Sequence, residues 1–309
     1  MTTDFLPVFS GGTGRSGTTL VGKILRKHSA VHAGNPYEIK FLTGKGGLID
    51  LVSGHLASNE NPNTPFHFIS GFIWSFPERR LSPKRIAALR QKMTEQWWSR
   101  DGKLGGTVGL VQGFELATLE RELDNLQKGF ASHPVCSSRK FFYDFISSHK
   151  FFENSHVAVD TTPTNIERSH EVQALLHNAK FIHITRDGRD TISSVLKEPW
   201  GPKEPDKALE WWKRKHINAH HATSQLPESA LHCMRLEDLV HHDREASYQQ
   251  LLAFIGLEDE AEIRHFFETE VVPTNAHVER WREDSRLDDN FNKKFQDIVA
   301  ELADLGIKL

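Results

Sequence analysis

An α/β fold, with a central parallel sheet flanked by helices, is what the sequence predicts, and three observations predict it. A short apolar run, Phe5-Leu-Pro-Val-Phe9, stops at a glycine-rich loop that opens directly into a helical pattern. Further apolar runs at 156–160, 180–185 and 230–235 each end on a turn and are separated by helical stretches. Strands that alternate with helices are joined by crossovers, and crossovers make neighbouring strands parallel. The 309 residues suffice for one buried core, and no linker or internal repeat divides them, so a single domain over 1–309 is expected.

Each element follows in order. Behind the first strand and its loop, Thr18 to Lys27 sets Leu20, Ile24 and Leu25 on one helical face. A second short strand is read at 30–33. From about 46 to 133 the chain mixes loop residues with helical stretches at 83–98 and 113–128, which reads as a mostly helical insertion shaping an acceptor site. Phe141 to Ile146 belongs to another helix. The three later strands alternate with helices at 207–224 and 247–255, and a last helix over 292–305 stops at Gly306.

Composition narrows the function. With 38 Lys+Arg against 41 Asp+Glu the formal charge is −3, so the chain has no bulk positive charge with which to coat nucleic acid. A local cluster can still hold an anion. No window reaches the roughly 18–20 apolar residues of a membrane-spanning helix, and residues 1–10 run straight into the loop without room for a signal peptide. Cys136 and Cys233 are too few for a disulfide framework and read as isolated buried thiols. A soluble, cytoplasmic protein is the expectation.

Gly12-Thr-Gly-Arg-Ser-Gly-Thr-Thr19 lies between strand and helix, where backbone N–H groups and the positive end of the helix dipole face an anion. Its spacing nearly matches the nucleotide loop G-x-x-x-x-G-K-[ST], but Thr18 stands at the lysine position and the cation comes earlier, as Arg15. Without that lysine on the β- and γ-phosphates, ordinary ATP or GTP hydrolysis is disfavoured. A second anion site is suggested by Arg186-Asp-Gly-Arg-Asp-Thr-Ile-Ser-Ser194. Arg186 leaves a strand at the carboxyl edge of the sheet, where ligands of open α/β folds bind. Ser194, on the early turns of the next helix, would converge with it on a phosphate monoester.

Gly-Thr-Gly-Arg-Ser-Gly-Thr-Thr-Leu resembles the 5′-phosphosulfate loop of sulfotransferases that use 3′-phosphoadenosine 5′-phosphosulfate (PAPS). The segment from Arg186 to Ser194 resembles that family's 3′-phosphate motif. Met234-Arg-Leu-Glu-Asp-Leu-Val240 with Leu251 to Leu257 is similar to a further family stretch of structural character, and Glu279-Arg-Trp-Arg282 to a C-terminal loop whose basic residue reaches the nucleotide. The resemblance implies a P-loop-like sulfotransferase fold and transfer of a sulfuryl group from PAPS to a hydroxyl or amine acceptor. Arg15, Ser16, Gly17, Thr18, Thr19, Arg186, Ser194 and Arg280 are then the co-substrate residues. A small-molecule kinase built on a related loop, or a non-catalytic nucleotide-binding module, stays open at this stage.

Sulfuryl transfer needs a base for the acceptor and fixed cations on the leaving side. Arg15 is the cation. Asn35-Pro-Tyr-Glu-Ile-Lys-Phe-Leu42 is similar to the region of carbohydrate sulfotransferases that carries a catalytic glutamate, which implies Glu38 as the base. The competing reading of Glu38 is a loop carboxylate paired with Lys40, and His32 is the alternative base. Asp160-Thr-Thr-Pro-Thr-Asn165 is similar to the family's "K-T-P" strand end, with Thr161 in place of the lysine and Lys40 as its candidate substitute. His216 and His220 have the i, i+4 spacing of zinc ligands, but the H-E-x-x-H glutamate is missing, so His216, His220 and His221 read as a solvated face and no metal is expected. A small-molecule or carbohydrate acceptor is what the resemblance implies. Phe66, Phe68, Phe72, Trp74, Trp97 and Trp98, together with the loop at 197–205, are candidates to line its site.

Overall fold

The computed structural model describes residues 5–34, 38–56, 83–102, 105–153 and 155–309. In chain order the described elements begin with β1 (Leu6–Gly11), α1 (Thr18–Leu25), β2 (Val31–Ala33), α2 (Leu48–Leu56) and α3 (83–91). A two-residue hairpin, β3 (Arg100–Asp101) with β4 (Thr107–Val108), precedes α4 (Leu116–Phe130), α5 (Pro134–Ser147), β5 (Val157–Asp160) and α6 (Ser169–Leu175). Then come β6 (Lys180–Thr185), α7 (Gly188–Val195), α8 (Pro205–Thr223), β7 (Leu231–Arg235), α9 (Arg244–Ile255), α10 (Ala261–Glu270), α11 (Pro273–Ala276) and α12 (Asp289–Asp304). The fold is α/β, as the alternating pattern predicted: a five-stranded parallel sheet in the order β2-β5-β1-β6-β7, with flanking helices. In register, Gly11 of β1 lies opposite His183 of β6, and Thr185 opposite Arg235 of β7.

The Cα framework forms two compact units. The first comprises Met1–Pro7, His32–Asp160 and Glu171–Ala179. Its core is aromatic. Leu119, Leu123, Leu126 and Phe130 repeat at helical spacing along α4 and are buried, as are Phe141, Phe142 and Phe145 of α5. Phe145 stacks on Phe114 at 4.2 Å between centroids and meets Phe41 edge-on at 5.3 Å. Each such ring removed from water is worth roughly 1.5–3 kcal/mol, so α5 is held mainly by this cluster. The expected helices of the insertion are present with shifted ends. The stretch read as 83–98 is helical over 83–91 and continues through a wider turn at Lys92–Gln96, and the stretch read as 113–128 is α4. Phe66, Phe68, Phe72 and Trp74 lie outside the described residues.

The second unit comprises Val8–Val31, Thr161–His170 and Lys180–Leu309. Here α12 buries Phe291, Phe295, Ile298 and Leu302, one helical stripe, against Leu209 and Trp212 of α8 and Ile192 of α7. The first residue of α7, Gly188, is a glycine because a Cβ there would stand 2.5 Å from the Phe295 ring and 2.6 Å from the Trp212 ring. α12 ends as predicted, with Gly306 left-handed at φ 77. Two sequence expectations are corrected. Both cysteines are exposed and free, because Cys136 faces outward on α5 and Cys233 lies on the terminal strand β7. His216 does not belong to a solvated face. It is 1% exposed, 4.5 Å from the Trp212 ring, because it shares the stripe of Ala208, Trp212 and Ala219 that α8 turns to the core.

Candidate nucleotide site and catalytic residues

The loop after β1 is shaped by backbone constraints. The Gly12 N–H donates to the Pro163 carbonyl at 3.2 Å. A Cβ on Gly12 would lie 2.3 Å from Ser16 Oγ and 2.5 Å from the Ile184 carbonyl oxygen, so only glycine fits. Gly14, Arg15 and Gly17 all take positive φ, at 83, 61 and 109. For the glycines that conformation is free of steric cost, whereas for Arg15 it stores on the order of 1 kcal/mol or more of strain. Among the described residues the amides of 14–19 donate to no backbone carbonyl, and they lead into the N-terminus of α1. Ser16 Oγ is buried without a hydrogen-bond partner. A run of unengaged N–H groups at a helix start is a cradle for an anion.

The structure brings Arg15, Arg186 and Ser194 together. The Arg15 Nε–H donates to Ser194 Oγ at 2.9 Å, and its Nη1 lies 3.8 Å from Glu198. Arg186 Nη1 donates to the Arg15 carbonyl at 3.3 Å, so the two motifs read separately from the sequence touch in space. The Arg186 side chain is largely buried. Its Nη2 donates to the His277 carbonyl at 2.5 Å and stands 3.4 Å from Asp190 Oδ2, while its Nε is buried without a partner, as is Thr191 Oγ1. Unpartnered donors beside a cradle of amides are what an added anion would satisfy.

Two bracing groups were not singled out by the sequence reading. Glu237, inside the stretch read as structural, accepts from the Asp187 N–H at 2.8 Å and so fixes the turn that aims Arg186. Asp187 in turn caps α7 by accepting from the Arg189 N–H at 2.9 Å and pairs with the Arg189 guanidinium at 2.6 Å. Arg189 stacks 3.9 Å over Trp281. Arg280, next to that ring, is exposed. Arg189 thus pairs with Asp187, and Arg186 with Asp190.

In the first unit, Glu38 and Lys40 form an ion pair at 3.5 Å, both half-buried, and Lys40 takes φ 50. The Ile39 N–H between them faces Asp160 Oδ1 at 3.4 Å, which ties this segment to the end of β5. Thr161, where the family pattern has lysine, is buried. His32 lies within hydrogen-bond distance of the Phe151 carbonyl at 3.2 Å and packs 4.2 Å from His149. Burial, and secondarily the neighbouring His149, push its pKa down to about 4. So low a pKa keeps the imidazole neutral near pH 7 and makes it a weak proton acceptor. Among the described residues no group of three or more His, Cys, Asp or Glu is placed to hold a metal ion, and no helix is long and apolar enough to cross a membrane.

A model of the sulfotransferase family matches residues 78–261, more than half of the chain. That span includes the 186–194 motif but neither the loop at 12–19 nor Arg280. Among solved structures, the sulfotransferase domain from the Synechococcus PCC 7002 olefin synthase is 13% identical, with a TM-score of 0.53 over 96% of this chain and 94% of that one. This likeness shows a shared fold. The sulfotransferase domain from the curacin biosynthetic pathway is 15% identical, with a TM-score of 0.45 over 99% of this chain and 98% of that one. Sulfotransferase STF1 from Mycobacterium tuberculosis H37Rv is also 15% identical, with a TM-score of 0.46 over 90% and 76% of the two chains. No curated protein matches the sequence.

Proposed function

Because the chain belongs to the sulfotransferase family, we propose that it moves a sulfuryl group from PAPS to a hydroxyl or amine of a small-molecule or carbohydrate acceptor. One observation carries this reading: the unengaged amides of 14–19 and the linked side chains of Arg15, Ser194 and Arg186 lie in one unit. PAPS supplies the activated sulfuryl group and leaves as adenosine 3′,5′-bisphosphate. The loop amides and the Ser16, Thr18 and Thr19 hydroxyls hold the 5′-phosphosulfate, with Gly17 letting the backbone approach. Arg186 and Ser194 take the 3′-phosphate, and Arg280 adds a cation from the C-terminal loop.

In the transfer itself, Glu38 accepts the proton of the acceptor as its oxygen or nitrogen bonds to sulfur. The bond from sulfur to the 5′-phosphate oxygen breaks on the opposite side. Arg15 is placed by the motif to offset the charge that develops on the leaving phosphate. Its contacts with Ser194 and Glu198 hold the guanidinium in place beforehand, so little reorganisation is needed at the moment of reaction. Lys40, 3.5 Å from Glu38, orients that carboxylate.

The test is transfer of labelled sulfate from PAPS across a panel of phenol, alcohol, amine and sugar acceptors. We expect transfer to at least one class, and a loss of about 100-fold in turnover for Arg15→Ala, the size typical of removing one charge-stabilising group. Phosphoryl transfer from ATP with none from PAPS would overturn the proposal in favour of a kinase.

A further inference from the structure

One face of α7 carries a set of contacts that neither the family match nor the sequence motifs assign. Asp190 and Ser193 lie one turn apart on α7, and Arg186 stands just before its N-terminus. Each reaches the segment 277–284. Arg186 donates to the His277 carbonyl at 2.5 Å. Asp190 accepts from the Glu279 N–H at 2.8 Å through Oδ2 and from the Trp281 N–H at 2.9 Å through Oδ1. Ser193 donates to Asp284 Oδ2 at 2.6 Å. The segment is strained where it is held, because His277 and Glu279 both take left-handed backbone angles, at φ 56 and 59, without being glycine. Two such residues so close in sequence cost on the order of 1–3 kcal/mol each, and surrounding contacts must impose them. Asp190 is the group that does so: 3% exposed, with both carboxylate oxygens on backbone amides and 3.4 Å from Arg186.

We infer that Asp190 is a positioning residue for the nucleotide: it fastens the 277–284 segment to α7 so that Arg280, between the two amides it binds, is presented on the same side as Arg186. The inference rests on the PAPS reading proposed above. It adds that Arg280 contributes affinity only while Asp190 holds its backbone. Replacing the carboxylate by alanine frees both amides, and hydrogen bonds to a charged group are among the stronger ones.

Calorimetric binding of adenosine 3′,5′-bisphosphate to the full chain tests this in a double-mutant cycle of Asp190→Ala and Arg280→Ala. We expect each single substitution to weaken binding about tenfold, and the double variant to be no weaker than the weaker single one within about twofold. Losses that multiply in the double variant, or unchanged affinity in Asp190→Ala, would overturn the inference while leaving the nucleotide site intact. Should Asp190→Ala fail to fold, Asp190→Asn retains one carbonyl oxygen as acceptor. It should show a smaller loss together with a smaller dependence on Arg280, and an undiminished dependence on Arg280 counts against the inference. Absence of binding by the unaltered chain would instead remove the nucleotide reading itself, and this inference with it.

Discussion

The loop at 12–19 and the face of α7 are both proposed to serve one anionic nucleotide, yet they are built on opposite principles. The loop is almost entirely backbone: glycines with positive φ, amides without carbonyl partners, and all of it within eight consecutive residues. The α7 face is almost entirely side chain, and its partners lie about ninety residues further along the chain, at 277–284. A backbone cradle tolerates side-chain changes at its rim but not a Cβ in its floor. A side-chain assembly degrades one contact at a time. The two regions should therefore fail differently.

The largest difference is expected from Gly12→Val. Its Cβ would be driven into Ser16 Oγ and the Ile184 carbonyl, and a backbone oxygen of a central strand cannot yield as a flexible side chain can. Loss of nucleotide binding and destabilisation by about 3 kcal/mol or more in urea unfolding are expected. Near-normal binding would show that the cradle is not rigid. Acid comes next and acts where β6 meets α8, through His183 and His216, whose rings lie 6.4 Å apart. Burial holds the His183 imidazole down to about 4, and burial with the nearby His183 holds His216 down to about 3, against an ordinary value of 6.5. Both are neutral in the fold and take up protons near pH 6.5 when unfolded. The unfolded state thus binds more protons between about pH 6.5 and 4, and stability must fall as pH drops through that window. For His183 alone this amounts to about 3 kcal/mol by pH 4. Unfolding midpoints that do not move across this range, or a His183→Gln variant with the same pH slope, would contradict it.

The smallest effect is expected from Ser193→Ala. It removes one hydrogen bond to Asp284, whose carboxylate keeps the Arg286 fork at 2.6 and 2.7 Å that holds its pKa well below the usual range. A loss of about 1 kcal/mol in stability, with nucleotide affinity changed less than threefold, fits a segment held at three points. A collapse of affinity would mean that Ser193, rather than Asp190, is the critical fastening.

The same contrast explains what could be read from the sequence. Strand, loop and first helix were legible because a glycine pattern at fixed spacing encodes a local backbone path. Arg186 and Ser194 were legible because their spacing is set by one turn and one helix. Asp190 was not, since nothing local distinguishes an aspartate that binds amides 89 and 91 residues away from one on a solvated helix face. Glu237 was passed over for a similar reason: its partner, the Asp187 N–H, belongs to another element. His216 was misread although a signal existed. Ala208, Trp212, His216, Ala219 and Thr223 recur at three- and four-residue spacing, a core stripe in which the histidine's polarity was given too much weight. Glu38 was placed by resemblance alone, and its pairing with Lys40 is compatible with a waiting base as well as with a loop ion pair.

The central claim is that these two unlike assemblies serve one nucleotide. It is tested most directly by titrating the full chain with adenosine 3′,5′-bisphosphate in the absence of divalent metal, beside Arg186→Ala. The account predicts binding that needs no magnesium and weakens about 100-fold in the variant, consistent with losing a buried guanidinium that holds a phosphate. Binding that requires magnesium and prefers ATP, or an Arg186→Ala chain with unaltered affinity, would contradict it.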